Sequence, residues 1–217
     1  MGAKPMAATR RVRPPDWRKE IVFWGVHAVA LAPGLWLLWA FFTSNLGTDP
    51  VNTLNNITGR TAMIALLGSL ACTPLNTLFG FREVLSVRRA LGLFAFVYAS
   101  LHLLNFVGLD YGFDVGFILA DGIVTKPYIV VGFAALLLMA PLAITSTKAW
   151  MKRLGRNWKK LHTAAYAIAV LVIFHFLWQA KAAERLEPLL YGLGLALLLI
   201  IRIPAVRRSI IGLRSGK

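Results

Sequence analysis

Residues 88–109 read RRALGLFAFVYASLHLLNFVGL: two arginines precede twenty residues in which His102 is the one side chain that can carry a charge. A helix needs about 20 mostly apolar residues to cross the hydrocarbon core of a bilayer. The stretch therefore predicts a membrane-spanning helix that starts at a basic boundary. Because a histidine at membrane depth is costly and usually functional, the stretch also indicates where chemistry takes place.

Uncharged runs of similar length recur along the chain. The five long runs cover 21–42, 61–81, 90–109, 127–147 and 161–180, and a shorter sixth run covers 188–201. The sixth reaches 19 residues when it is extended to 206, with Arg202 extending to the membrane surface. We therefore predict an all-α integral membrane protein with six transmembrane helices in residues 21–206, between basic tails at 1–20 and 207–217. No internal repeat is visible in the sequence.

The composition excludes several other classes of protein. Of the 217 residues, 58% are hydrophobic and only 15% are charged, and the formal net charge is +15. Disordered chains combine low hydrophobicity with high charge, and a nucleic-acid-binding protein would not be this apolar. The single cysteine, Cys72, excludes an internal disulfide and a cysteine-built metal site.

The basic residues are distributed unequally between the two sides of the predicted bundle. With six spans, twenty Lys and Arg residues fall on one side, and only Lys126, Lys181 and Arg185 lie in the loops of the other. Because cytoplasmic loops of membrane proteins carry the excess of Lys and Arg, we predict that both termini are cytoplasmic.

Two histidines are predicted to lie at nearly the same depth. With a rise of about 1.5 Å per residue, His102 lies about 18 Å and His175 about 21 Å from the cytoplasmic start of its helix. Neutral imidazoles at one depth on two helices suit the axial positions of a haem iron. A packing or proton-relay role is the alternative. Zinc is less favoured, because no Cys, Asp or Glu accompanies the pair within the membrane.

A second polar group is predicted at the cytoplasmic boundary. His162 lies 13 residues before His175. The corresponding position before His102 is Arg89, with Arg88 beside it, so a second bis-histidine haem lacks a ligand there. Arginine suits phosphate and carboxylate oxygens. Arg88, Arg89 and His162 therefore favour an anion pocket for a flavin phosphate, haem propionates or a quinone head; an ordinary basic collar is the alternative.

The remaining polar positions within the spans are Arg60 and His27. Arg60 opens the second span slightly outside the level of His102 and His175, where it could pair with haem propionates or simply extend to the membrane surface. His27 has aromatic and small neighbours in the first span. We expect it to pack or to hydrogen-bond the edge of a cofactor.

Several segments together resemble the ferric-reductase-like transmembrane superfamily, which includes the NADPH oxidases. They are TGRTA at 58–62, RRALGL at 88–93, LHL at 101–103, KPY at 126–128, TST at 145–147 and LGRNW at 154–158, followed by Leu161 and His162. A closer resemblance is to the MsrQ (formerly YedZ) family, the haem-binding membrane subunits of periplasmic methionine sulfoxide reductases. The resemblance extends over about residues 21–206.

The resemblance implies a b-type haem on His102 and His175, bound FMN, and electrons from the quinone pool or a cytoplasmic flavin reductase. It also implies a bacterial inner membrane and a periplasmic molybdopterin-containing partner that reduces methionine sulfoxide in oxidised envelope proteins. Two features depart from the wider superfamily: no FAD- or NADPH-binding domain follows the sixth span, and Arg89 stands where two-haem relatives have a histidine. His162 is then either a ligand of a second haem or part of a flavin or quinone site.

We therefore expect an electron-transfer subunit of an oxidoreductase complex rather than its catalytic subunit. One alternative is a stand-alone transmembrane reductase of ferric chelates or oxygen, which would act without a partner. The other is a non-redox transporter or assembly factor whose histidines relay protons, which predicts a colourless protein.

Overall fold

The structure is a computed structural model that describes residues 17–214 and residue 216. The regular structure of these residues is helical, without β-strands. In chain order the α-helices are α1 (Trp17–Phe42), α2 (Pro50–Phe79), α3 (Arg88–Asn105), α4 (Val115–Phe117), α5 (Tyr128–Ile144), α6 (Lys148–Leu154), α7 (Arg156–His162), α8 (Ala164–Gln179), α9 (Leu186–Ile200) and α10 (Pro204–Arg214). Turns of π-helix, Phe106–Asp110 and Ile118–Ile123, continue α3 and α4.

Four helices in the described part are long and apolar enough to cross a membrane: α1, α2, α3 with its π-helical turn, and α7 continued by α8. Two bent pairs raise the number to six if each pair is one span. They are Val115–Ile123 with α5, bent by 117°, and α9 with α10, bent by 75°. The predicted all-α membrane fold is confirmed, and its six helices correspond to the four spans and the two bent pairs.

The two ends of the bundle are named here by their residues. At the histidine end, residues 43–49, 106–127 and 180–185 connect the helices. At the arginine end, the connections are residues 80–87, 145–155 and 201–203.

The core lies where α2, α3, α5, α8 and α9 meet. Its most deeply buried members include Leu70, Ala95, Ala135, Ile168 and Ala169. Small residues such as alanine let membrane helices approach closely, and the most extensive packing joins α2 to α3 and α5 to α8. Helix α1 is peripheral: of its residues only Ala30, Leu37 and Ala40 are buried.

Helix α2 begins eleven residues before the predicted second span. The Asp49 side chain accepts the amide of Asn52, and Pro50 takes the first helical turn, where a missing amide hydrogen costs nothing. Capping therefore sets the start of the helix, and Arg60, which directly precedes the uncharged run 61–81, lies inside the helix. The helix ends at Gly80, whose left-handed backbone has a φ of 72°.

The sixth span does not continue straight to residue 206. Helix α9 ends at Ile200 and the chain bends by 75° into α10, because Pro204 lacks an amide hydrogen and restricts the residue before it. Arg202 lies in this bend. Its guanidinium does not extend to the membrane surface as predicted, but turns back into the bundle and contacts α2 and α8.

The predicted terminal tails, 1–20 and 207–217, fall partly outside the described residues. These are residues 1–16, 215 and 217, so the structure describes only the remainder of each tail. In that remainder, α1 already begins at Trp17, and residues 207–214 belong to α10.

Candidate functional site

The structure brings His102 and His175 together inside the bundle. Their ring centres are 6.4 Å apart, and the ring planes are inclined by 82°. The two side chains come from α3 and α8, which both run from the arginine end towards the histidine end. The depths expected from the helical rise therefore correspond to an actual pair of imidazoles.

Both imidazoles are held by main-chain carbonyl groups. His102 Nδ1 lies 3.0 Å from the oxygen of Asn55, and His175 Nδ1 lies 2.7 Å from the oxygen of Tyr128. A carbonyl oxygen can only accept, so Nδ1 of each neutral ring carries the hydrogen and donates it. The free lone pair is then on Nε2 in both rings. Histidines that bind metal ions are commonly oriented by such a bond from their other nitrogen.

A glycine faces each imidazole where a side chain would collide with it. A Cβ atom at Gly132 would lie 2.7 Å from His175 Cε1 and 2.8 Å from its Nδ1. At Gly59 the corresponding distance to His102 Cε1 and Nδ1 is 3.2 Å. The two glycines therefore form the surfaces against which the rings pack.

The site is built from a helix pair that occurs twice. Each histidine donates to a carbonyl 47 residues earlier, and in each case the glycine lies four residues after that carbonyl. The pair α2–α3 thus corresponds to the pair α5–α8 at an offset of 73 residues. Further corresponding positions line one cavity from both sides: 62 and 135, 63 and 136, 66 and 139, 99 and 172, 103 and 176. No repeat is visible in the sequence, because this correspondence preserves positions and few residue identities.

This cavity has a volume of about 550 Å³ and includes both histidines in its wall. Cofactor and small-molecule sites occupy roughly 300–1,000 Å³. Apolar side chains such as Leu66, Leu103 and Met139 line its interior, and polar ones such as Asn56 and Gln179 also contribute. The cavity therefore offers an apolar space with two free imidazole nitrogens.

Two cations lie at the histidine end of the cavity, each paired with an acid. Arg60 Nη2 is 2.6 Å from Glu187 Oε2. Lys126 Nζ donates to the Tyr111 hydroxyl at 2.9 Å and pairs with Asp121 at 3.1 Å. These hydrogen bonds raise the pKa of Lys126 above its ordinary value, and the bond to Tyr111 has the largest effect. Lys126 therefore keeps its positive charge throughout the neutral range.

Arg88, Arg89 and His162 do not line this cavity. Arg89 Nη1 lies 3.9 Å from the Met151 sulfur, whereas the His162 ring stacks on Trp158 with ring centres 3.9 Å apart. His162 Nδ1 is 3.0 Å from the Trp158 carbonyl oxygen, and its Nε2 is buried without a hydrogen-bond partner among residues 17–214 and 216. His162 thus has one engaged and one free nitrogen.

His27 lies in an aromatic environment outside the cavity wall. Its ring centre is 4.2 Å from that of Phe23 and 5.6 Å from that of Phe94, and Nδ1 is 2.7 Å from the Phe23 carbonyl oxygen. The packing role predicted for His27 agrees with these contacts.

Sequence reasoning missed the carbonyl groups of Asn55 and Tyr128 and the two glycines. The carbonyls carry no signal, because every residue has one. The glycines lie in segments where other residues drew attention. A search for glycines the same number of residues before each histidine would have found both.

The arrangement can hold a metal ion only if another group supplies further ligands. In the part of the chain that the structure describes, no group of three or more His, Cys, Asp or Glu side chains could hold a metal ion by itself. A porphyrin supplies four ring nitrogens to its iron and needs two axial ligands, which two facing imidazoles can provide.

Comparison with known proteins identifies the family. The family described as Ferric reductase like transmembrane component matches residues 58–173, more than half of the chain. The protein-methionine-sulfoxide reductase heme-binding subunit MsrQ of Xanthomonas euvesicatoria pv. vesicatoria is 48% identical over 181 residues, which cover 80% of this chain and 82% of that protein. The protein of the same description from Rhodospirillum rubrum is 45% identical over 194 residues, covering 88% and 90%. The chain therefore belongs to the MsrQ family, within the ferric-reductase-like transmembrane proteins.

Proposed function

We propose that this protein is the haem-binding, electron-transferring membrane subunit of a methionine sulfoxide reductase system. The observation that carries the proposal is the pair His102 and His175, each with Nδ1 bound to a carbonyl and Nε2 free. The relatives named above are described as heme-binding subunits of that reductase, which supports the same role for this chain.

The residues present fit a haem. Two imidazoles that both bound one metal ion through nitrogen, at about 2 Å each and with each ring centre about 1 Å behind its nitrogen, would have ring centres about 6 Å apart. The ring centres of His102 and His175 are 6.4 Å apart. The apolar cavity beside them has the size of a cofactor site.

His102 and His175 would hold the haem iron through their Nε2 atoms. A bound haem would supply one-electron redox chemistry. Ligation by both imidazoles would favour electron transfer over binding of oxygen or a ferric chelate. The carbonyls of Asn55 and Tyr128 keep both rings in the Nδ1–H form and make Nε2 more basic.

Arg60 is proposed to bind a haem propionate at the histidine end. It lines the cavity, and its guanidinium is already held there by Glu187. Arginine forms charge-assisted hydrogen bonds with carboxylates, so a propionate can share or replace this partner.

Electron entry is proposed at the arginine end, from the quinone pool or a cytoplasmic flavin reductase, with FMN as a further cofactor. The free, buried Nε2 of His162 supports a ligand there, as do Arg88 and Arg89, which begin α3 at the same end of the bundle. Two occupants suit His162, namely the iron of a second haem and the polar edge of a flavin or quinone. The absorption spectrum of His162→Ala separates them, because only the first is expected to lose haem absorbance.

Electrons are proposed to leave at the histidine end towards a periplasmic molybdopterin-containing catalytic subunit that repairs oxidised envelope proteins. This direction follows from the predicted orientation, with both termini cytoplasmic in a bacterial inner membrane. The twenty basic residues on one side against three in the loops of the other support that orientation.

Reduced-minus-oxidised spectra of the purified protein test the haem assignment. We expect a low-spin b-type spectrum that is lost in His102→Ala and in His175→Ala. The matched control is His27→Ala, whose ring packs against phenylalanines away from the cavity and which should keep the full spectrum.

Two results would contradict the proposal. An unchanged spectrum in His175→Ala would exclude the axial pair, and a colourless wild-type protein would favour the transporter or assembly role. Reduction of ferric chelates by the purified protein without a partner would instead favour the stand-alone reductase.

A further inference from the structure

Arg202 occupies an unusual position between the helices. It follows the end of α9, and its guanidinium points back into the bundle. Nη1 donates to the Tyr166 hydroxyl at 2.8 Å, and Nη2 donates to the Leu70 carbonyl oxygen at 2.5 Å. The guanidinium carbon also lies 5.2 Å from the centre of the Tyr166 ring. Arg202 therefore joins α2, α8 and the bend after α9.

A proline explains the contact with α2. In an α-helix the carbonyl of residue 70 accepts the amide hydrogen of residue 74, but Pro74 has none. The Leu70 oxygen is consequently free within the helix, and a free buried carbonyl is costly. Arg202 supplies the missing donor. This structural role uses two of the three nitrogen groups of its guanidinium.

The third nitrogen of the Arg202 guanidinium has no hydrogen-bond partner, and its charge has no carboxylate partner, among the described residues. Arg202 Nε is buried and has no hydrogen-bond partner among the described residues. Within residues 17–214 and 216, the two ion pairs are Arg60–Glu187 and Lys126–Asp121, both at the histidine end. No carboxylate of the described chain therefore neutralises Arg202, although an uncompensated charge inside a membrane protein is expensive.

A second arginine lies next to this one. The Ser69 hydroxyl donates to the Arg88 carbonyl oxygen at 2.8 Å, which places Arg88 beside the residue that precedes Leu70. The Arg88 guanidinium makes no hydrogen bond or ion pair with any residue that the structure describes. The main chain of Arg88 and the guanidinium of Arg202 thus contact consecutive residues of α2, and neither charge has a carboxylate partner among the described residues.

We propose that Arg88 and Arg202 together bind a phosphate group at the arginine end of the bundle. Guanidinium groups suit phosphate oxygens because they offer parallel N–H donors and a charge that burial does not remove. The phosphate belongs either to a phospholipid headgroup or to flavin mononucleotide. The flavin source rests on the proposed function; the lipid source is independent of it. The site shares Arg88 with the pocket predicted from sequence and adds Arg202, which the sequence analysis did not place there.

The test measures phosphate ligands on the purified, haem-loaded protein. The probes are phosphatidylglycerol, followed by native mass spectrometry, and flavin mononucleotide, followed by its fluorescence. We expect Arg88→Gln to weaken binding of one of these probes by roughly tenfold to a hundredfold, the usual effect of losing a charged hydrogen bond. Loss of lipid identifies a headgroup site, and loss of flavin identifies a nucleotide site.

Two further variants separate the site from folding. Arg88→Gln removes no hydrogen bond or ion pair to a described residue, whereas Arg202→Gln removes the donor to the Leu70 carbonyl oxygen. Arg207→Gln is the matched control, because Arg207 is an exposed residue of α10, and it should bind as the wild type does.

The haem spectrum and the thermal midpoint are recorded for every variant. A normal spectrum with weakened phosphate binding supports the site. Equal binding of both probes by the wild type and Arg88→Gln would overturn it, as would no binding of either probe to the wild type. A missing haem spectrum in the wild type would contradict the proposed function without bearing on the lipid result.

Discussion

Gly132 is the residue on which the position of His175 most directly depends. A Cβ at this position would lie 2.7 Å from the imidazole, closer than real contacts allow, so the ring would have to move. Movement would break the 2.7 Å hydrogen bond to the Tyr128 carbonyl oxygen. The position of the free Nε2 relative to His102 would then change.

We therefore expect Gly132→Ala to lower haem affinity about 10- to 100-fold, the effect typical of losing the support behind a metal ligand. Haem content per protein and the low-spin spectrum measure this. Gly194→Ala is the control, because nothing lies within 4 Å of a Cβ at that position in α9. Wild-type haem content in Gly132→Ala would show that the ring tolerates the methyl group.

At the scale of single residues, the sequence predicts which side chains lie together far better than it predicts the groups with which they form hydrogen bonds. The rise of a helix was sufficient to place His102 and His175 together, since both depths count from a basic boundary. The prediction that Arg202 extends to the membrane surface rested on the length of the sixth run, and it is wrong because Pro74 frees a carbonyl on another helix that Arg202 contacts.

Helix α1 is attached to α3 by a tyrosine inserted into its hydrogen-bond ladder. The Tyr98 hydroxyl donates to the Ala30 carbonyl oxygen at 2.8 Å and accepts the Gly34 amide at 2.9 Å. In an undisturbed helix those two groups would bond to each other. The adjacent Pro33 already weakens the ladder, so the hydroxyl replaces one helical bond with two bonds between helices.

This insertion predicts coupling between Gly34 and Tyr98. A Cβ at Gly34 would lie 2.9 Å from the hydroxyl, so Gly34→Ala should destabilise the protein by about 1–3 kcal/mol. In the Tyr98→Phe background the same change should cost less, with an interaction energy of about 0.5–3 kcal/mol.

Thermal unfolding in detergent of the four proteins of the cycle measures this energy. Gly25→Ala, in the same helix and without atoms within 4 Å of its Cβ, should be neutral or slightly stabilising. Strict additivity of the two substitutions would mean that the hydroxyl does not hold α1.

The ends of the helices depend on capping residues and prolines, which the length of an uncharged run does not take into account. Asp49 and Pro50 start α2 well before the predicted span, and Pro204 ends the sixth span early. Both signals were present in the sequence as a cap and a proline. The length of a charge-free run identifies a helix that crosses the membrane, but caps and prolines decide where that helix starts and bends.

For the whole molecule, the surface and the basic residues concern different aspects of its place in a membrane. Large apolar side chains are exposed around the bundle, such as Val29, Leu35, Leu137 and Leu193, as a lipid environment requires. The positions of the basic residues predict the orientation, with the arginine end towards the cytoplasm.

Cysteine labelling tests that orientation. Wild-type Cys72 is only 2% exposed and should not react, so it provides a low background. A membrane-impermeant thiol reagent added to intact spheroplasts should label Asn45→Cys, at the histidine end. It should label Lys152→Cys, at the arginine end, only after permeabilisation. The opposite pattern would place the termini outside and reverse the proposed direction of electron flow.

The equal spacing of 47 residues in the two helix pairs has a consequence for the origin of the site. One helix pair that carries a histidine, a glycine and a carbonyl in this register would form the complete site on association with a second copy of itself. Duplication and fusion of its gene would then produce the present arrangement, with each copy free to diverge elsewhere. Arg60 and Phe133 correspond at the same offset, and they place a cation and an aromatic ring at the cavity.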